Sequence, residues 1–181
     1  MSERYKVGDD HIPHFITSTV VGWIDLLTRP VYKDIIIESL RYCQEHKDLR
    51  VHAFCIMSSH VHLIVSSVDE KLENIIRDMK KFTSKRLIQA IKENPESRRE
   101  WMLESFEFAA RRIKRVKNYK FWQDGFHPVE LNINEMQEAR LEYVHDNPVV
   151  EGLLYRQEDY VYSSASFYYG KKCLIEINKM D

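Results

Sequence analysis

Met57-Ser58-Ser59-His60-Val61-His62-Leu63-Ile64-Val65 is the stretch on which the reading of this chain turns. The run from His60 to Ser67 reads as a strand, and Leu49 to Met57 reads as the strand before it. Ser58-Ser59 is short and polar enough to turn the chain back between them, which makes a hairpin. Side chains at i and i+2 leave a strand on the same face. Both imidazoles therefore point one way, while Val61, Leu63 and Val65 point the other. Histidine is the commonest metal ligand among side chains and titrates nearest neutral pH. The pair reads either as two ligands for a divalent ion or as two hydrogen-bonded polar residues on a half-exposed strand.

Outward from the hairpin, His14 to Val21 is rich in β-branched residues and stops at Gly22, as a first strand would. Pro30 sits where a helix begins, and Val31 to His46 carries apolar residues at 31, 35, 36, 40 and 43. A long helix is predicted over Leu72 to Glu93, broken by Asn94-Pro95, with further helix from Arg98 to Val116. Phe121 to Leu131 reads as a fourth strand region interrupted at Asp124-Gly125. Asn134, with Gln137 three residues on, reads as the cap of a last helix that ends before Pro148. The order β-α-β-β-α-(extra helix)-β-α predicts a split β-α-β, α+β fold. Its antiparallel sheet has helices on one face and leaves the second face, with the histidines, open to substrate. One domain over residues 1–181 is expected, with a helical insertion at about 94–120 and a tail at about 149–181 packed over the core.

The 181 residues, 44% apolar and 30% charged, fit a soluble globular protein. No apolar run approaches the roughly 20 residues of a membrane span, and the N-terminus lacks the hydrophobic region of a signal peptide. Cys43, Cys55 and Cys173 have no metal-site spacing. Cys43 and Cys55, in apolar surroundings, read as reduced core thiols, and the expected location is cytoplasmic. A net charge of −1 neither announces nor excludes a nucleic-acid partner, because the footprint of one is a local patch. Two stretches are locally basic: Arg77 to Arg86, with Lys80, Lys81, Lys85 and Arg86, and Arg111 to Lys120, with Arg112, Lys114 and Arg115. Either can also be a solvated helix face.

Within the last helix, Met136, Arg140, Tyr143 and Asn147 fall at spacings of four, three and four and form one stripe. That stripe is either simply solvated while Leu141 and Val144 face the core, or it completes a site with the histidines. In the second case, two imidazoles and an amide oxygen are neutral ligands for a divalent cation that would polarise a phosphodiester. A tyrosine hydroxyl one turn from the third ligand could then attack phosphorus.

These motifs resemble a known family. Ser59-His60-Val61-His62-Leu63-Ile64-Val65 is similar to the histidine-hydrophobic-histidine (HUH) signature. Tyr143-Val144-His145-Asp146-Asn147-Pro148-Val149 resembles the tyrosine motif of the single-strand DNA transposases, in particular the REP-associated, IS200-like branch. Phe121-Trp122-Gln123-Asp124-Gly125-Phe126-His127, and Tyr160 to Ala165 with Tyr168-Tyr169-Gly170, resemble further segments of that branch, so the likeness spans about His14 to Gly170. It implies a ferredoxin-like or palm-like sheet, with His60, His62 and Asn147 as ligands of Mg²⁺ or Mn²⁺ and Tyr143 as the nucleophile that becomes linked to a DNA 5′-phosphate. It also implies a single-stranded, hairpin-bearing DNA substrate; the family contains both monomers and homodimers. Ser58-Ser59 departs from the Pro-Asn that many members carry there. With an anionic substrate implied, Lys80, Lys81, Lys85, Arg86, Arg112, Lys114, Arg115 and Arg140 become candidate DNA contacts, and Trp122 a candidate for base stacking, against core packing. His11, His14, His46, His52 and His145 read as structural or exposed. Two other functions keep part of this assignment: a replication-initiator or relaxase-type nickase, and a domesticated hairpin-binding protein that does not cut.

Overall fold

In a computed structural model that describes residues 8–111 and 118–180, the hairpin forms one side of a four-stranded antiparallel sheet. The strands are β1 (His14–Thr19), β2 (Leu49–Ile56), β3 (His60–Ser67) and β4 (Val129–Glu130), in the order β2-β3-β1-β4. Met57 N–H donates to His60 O at 2.8 Å across the Ser58-Ser59 turn, and β2 pairs with β3 from Ile56 opposite Val61. A register shift between Val51 and Ala53 leaves His52 as an extra residue in β2. Because side chains alternate with period two, that one residue moves Phe54 and Ile56 onto the same face as Val51. All three join the larger core.

That core lies between one sheet face and two helices, α1 (Pro30–His46) and α2 (Leu72–Glu93). Pro30 opens α1 where its missing N–H costs no hydrogen bond. Ile36, Leu40 and Cys43 of α1 meet Ile75, Ile76 and Met79 of α2 over Val61, Leu63 and Val65 of β3. The helical addition α3 (Arg99–Arg111) docks through Met102 and Phe106, and Phe106 packs on Phe121 at 5.1 Å. The rest of the predicted helix, including Arg112, Lys114 and Arg115, lies outside the described residues.

The face expected to be open carries a fourth helix, α4 (Asn134–Val150). Val144 and Leu131 close a second, smaller core over Phe15, Ala53, Cys55, Met57 and Ile64. β3 is consequently buried along its whole length. Nor does α4 stop before Pro148; it continues to Val150. Proline removes one N–H and crowds the carbonyl four residues back. Only one turn remains to be closed, however, and Glu151 N–H to Asn147 O at 3.0 Å and Leu153 N–H to Pro148 O at 2.9 Å close it. The helix start also differs from the capping box, since Ile133 is the cap residue and Gln137 Nε2 donates to Leu131 O at 3.0 Å.

The expected fourth strand shrinks to Val129–Glu130 beside His14 and Phe15. Gly125, at φ +102°, turns the chain away between Trp122 and β4. Trp122 keeps a single bridge to Val20, and Gln123 N–H donates to Thr19 O at 2.8 Å, so Trp122-Gln123 flanks the far end of β1. The opposite edge, β2, is covered by the tail. Ile56 N–H donates to Tyr162 O, Ser164 N–H to Phe54 O and Asn178 N–H to Val51 O, all at 2.9 Å. Tyr160 and Tyr168 reinforce this strap by donating their hydroxyls to Ile56 O (2.8 Å) and His52 O (2.9 Å). A free edge would otherwise offer a template for pairing with other chains.

Candidate active site

β3 presents His60 and His62 on the α4 side of the sheet, with ring centroids 4.6 Å apart. They are only 7% and 3% exposed. Thr17 of β1 lies directly opposite His62 in the antiparallel register, and its Oγ1 is 2.9 Å from His62 Nδ1. That contact leaves Nε2 as the free ring nitrogen, and Nε2 is buried with no hydrogen-bond partner in the protein. Thr17 is itself exposed, so the recess opens along β1, which α4 leaves uncovered there.

Burial, then the neighbouring His60 and Arg140, push the His62 imidazolium down to about 3. His60 is also held below the usual imidazole range by burial, opposed by the Glu151 carboxylate and a hydrogen bond with Asn147. Both rings are thus neutral at physiological pH, the form that ligates metals. His60 Nδ1 lies 3.2 Å from Ser59 Oγ.

α4 brings the polar stripe to this recess. Tyr143 stands edge-on to His62 at 5.3 Å and to Phe15 at 5.8 Å, and it is 45% exposed. Phe15 in turn stacks on His62 at 5.5 Å, which fixes the imidazole between an aromatic floor and the tyrosine. The Arg140 guanidinium covers the Phe15 ring at 4.9 Å and the Tyr143 ring at 5.7 Å. Asn147 Nδ2 donates weakly to Tyr143 O at 3.4 Å, leaving the amide oxygen on the His60 side. Val144, His145 and Pro148 face the sheet instead. The helix therefore packs through one face and presents Arg140, Tyr143 and Asn147 beside the histidines. All these groups come from one chain.

Among the described residues, no three or more His, Cys, Asp or Glu gather as a metal cluster. A cation at this recess would rest on two imidazoles and an amide. Imidazole nitrogen is a borderline donor and the amide oxygen a hard one, so the set fits a divalent ion that keeps open positions for phosphate oxygens. The unsatisfied Nε2 of His62 is the atom such an ion would complete.

The remaining sequence candidates divide by helix face. Lys80, Lys81 and Lys85 line a groove of about 850 Å³ between α2 and Tyr119–Phe126, together with Arg77, Ser84 and Lys120. Lys120 is paired with Asp124, and Arg77 with Asp78. Lys80 Nζ reaches Gln123 O at 3.4 Å, and burial lowers its ammonium below the usual range. Arg86 points to the other side of α2, toward Tyr42 and Phe82. Trp122 is drawn into the core, donating Nε1–H to Thr83 Oγ1 at 3.1 Å. Of the histidines outside the recess, His145 is buried against Ser164 Oγ at 2.8 Å, and His52 is buried between Asn178 O (2.7 Å) and Ser66 Oγ (2.9 Å). Phe15, Thr17 and Trp23 complete the surroundings of the histidine pair and escape the sequence reading. No local pattern marks them, because strand pairing and the turn after β1 bring them to the histidines.

Fold and recess together describe a transposase-type α+β protein. Residues 14–112, more than half of the chain, match the family model described as IS200-like transposase, and the chain belongs to that family. The protein is a transposase. Tyr143 and Asn147 lie beyond the matched residues. A solved REP-associated tyrosine transposase bound to a REP hairpin is similar in fold, at 18% identity and a TM-score of 0.59, over 100% of this chain and 94% of that one. A candidate transposase from Deinococcus radiodurans R1 overlaps 81% of this chain and 94% of its own at 15% identity, with a TM-score of 0.46. A sequence comparison with curated proteins returned no match. Among the described residues, no helix is long and apolar enough to cross a membrane.

Proposed function

We propose that this transposase nicks and rejoins single-stranded DNA at hairpin-bearing sites, with Tyr143 as nucleophile and Mg²⁺ or Mn²⁺ held by His60, His62 and Asn147. The observation that carries this reading is the buried, unpartnered Nε2 of His62 with the Tyr143 ring 5.3 Å away. A bound divalent ion would supply Lewis-acid polarisation of the scissile phosphate. The protein's own residues do the rest. Thr17 and Phe15 hold the His62 ring in one orientation, as partners behind a ligand do. Arg140, beside Tyr143, places a permanent positive charge where a phosphate would gain negative charge.

In the forward step the Tyr143 oxygen forms a bond to phosphorus and loses its proton. The P–O3′ bond breaks, and the departing 3′-oxygen leaves as a hydroxyl after taking up a proton. The aryl phosphodiester retains the energy of the broken linkage, so attack by another 3′-hydroxyl rejoins the strand and restores the phenol. Lys80, Lys81 and Lys85 are proposed to hold the backbone of the strand in the α2 groove, which Gln123 connects to Thr19 and so to the pairing partner of His60.

The test is incubation with a pool of single-stranded hairpins and Mg²⁺ or Mn²⁺, followed by mass analysis for a covalent protein–DNA adduct. The wild type should form one and Tyr143→Phe none, with hairpin binding retained. Hairpin binding with no adduct in the wild type would leave a non-cleaving DNA-binding protein and overturn the proposal.

A further inference from the structure

The chain between β1 and α1 turns sharply beside the histidines. Gly22 has φ +64° and the next residue, Trp23, has φ +56°. Glycine enters that region freely, whereas a bulky side chain there is an outlier that the surrounding structure must impose. The imposition is visible. Val20 N–H donates to Ser59 O, Val21 N–H to Phe121 O and Leu27 N–H to Ser58 O, each at 2.8 Å, and Trp23 N–H donates to Val20 O at 3.0 Å. The turn is thereby bolted to the serines that open β3.

What this strained backbone holds is an indole in water. Trp23 is 61% exposed, and its ring stands edge-on to His60 at 5.6 Å. Tyr143 contacts His62, so Trp23 and Tyr143 flank the histidine pair from its two ends. Next to Trp23, a depression of about 650 Å³ is lined by its neighbours Gly22 and Ile24, by half-exposed Trp101 and Phe108 of α3, and by Lys120 and Gln123. The last two residues also line the basic groove, so the aromatic surface and the cationic one are continuous.

Core packing does not explain an exposed aromatic at a position where it strains the backbone. An indole face beside a phosphate-binding recess, continuous with lysines, has the character of a stacking platform for single-stranded nucleic acid. We propose that Trp23 stacks on the unpaired base next to the phosphate at the His60–His62 recess, and that Trp101 and Phe108 continue the surface for the following bases. The inference rests on the single-strand reading above and specifies how that strand is gripped.

The test uses the full chain and hairpin oligonucleotides carrying 2-aminopurine at successive unpaired positions on either side of the hairpin foot. The wild type should quench emission strongly at one position. Trp23→Phe should keep part of the quenching. Trp23→Gly is the decisive variant, because glycine relieves the positive φ and should fold at least as stably by thermal unfolding. It should nonetheless lose the quenching and bind the single strand about 10-fold more weakly. If Trp23→Gly quenches and binds like the wild type, the inference is overturned, whatever the adduct yield. Quenching that depends on Trp23 without any adduct would overturn the cleavage reading and leave this one standing. A wild type that binds no single-stranded DNA would overturn both.

Discussion

Acidification should loosen α4 from the sheet, and His145, alongside the buried His60 and His62, supplies a part of the effect that can be isolated. Its imidazole is buried against Ser164 Oγ, with burial depressing its titration from 6.5 to about 4. A depressed value means that the folded protein holds the ring neutral while the unfolded chain takes up a proton below 6.5. The stabilisation is therefore intact above pH 6.5 and is lost progressively as pH falls toward 4. Each unit of difference corresponds to about 1.36 kcal/mol, so between pH 7 and pH 5 this one group removes about 2 kcal/mol. Urea denaturation of the wild type and of His145→Gln at both pH values isolates the effect, because Gln keeps a hydrogen-bonding group for Ser164 and does not titrate. The wild type should lose about 2 kcal/mol more than the variant over that interval. Equal losses, within about 0.5 kcal/mol, would show that His145 does not couple the pH to the seating of α4.

Tyr143→Phe should leave unfolding free energy within about 0.5 kcal/mol of the wild type, because the hydroxyl stands in a half-exposed ring outside the core, and a larger loss would assign the residue a structural role. Thr17→Val keeps the shape of the side chain but removes the oxygen at His62 Nδ1, and should weaken Mn²⁺ binding about 10- to 100-fold by calorimetry. An unchanged affinity would detach Thr17 from the metal site. Lys81→Ala with Lys85→Ala removes two exposed cations from the α2 groove, and the slope of log affinity for single-stranded DNA against log salt should flatten by about 1.4. An unaltered slope would place the strand elsewhere.

The elements legible in the sequence are those whose pattern is local. The bounds of β3 follow from an apolar run with polar stops, those of α2 from apolar residues at helical spacing up to Asn94-Pro95, and the stripe from Arg140 to Asn147 from helical spacing alone. Pro148 misleads because the bias against helix at the preceding residue is a local cost that burial of the proline ring and the closing hydrogen bonds of the last turn can offset. Lys85 and Arg86 look like one cluster in the sequence, yet adjacent helix residues diverge by about 100° and the two line different faces of α2. The occupation of the second sheet face depends on α4 meeting strands far back in the chain, and the strapping of β2 on contacts between residues more than 100 positions apart, which no local pattern encodes. Trp23 is the extreme case, because a tryptophan at positive φ runs against every propensity by which a sequence is read.

The tail strap also has a consequence for biosynthesis. β2 and β3 emerge from the ribosome early and can pair at once, but the outer partner of β2 consists of residues 162–178. His145, on the helix that bears Tyr143, finds its partner only at Ser164. Such distant pairings form late, because the chain must close a long loop before the contact stabilises it. A nascent chain thus displays the histidine pair well before the tyrosine is fastened over it. On the proposed function, a protein able to break DNA would in this way complete its cutting centre only among the last steps of folding, when the strap closes.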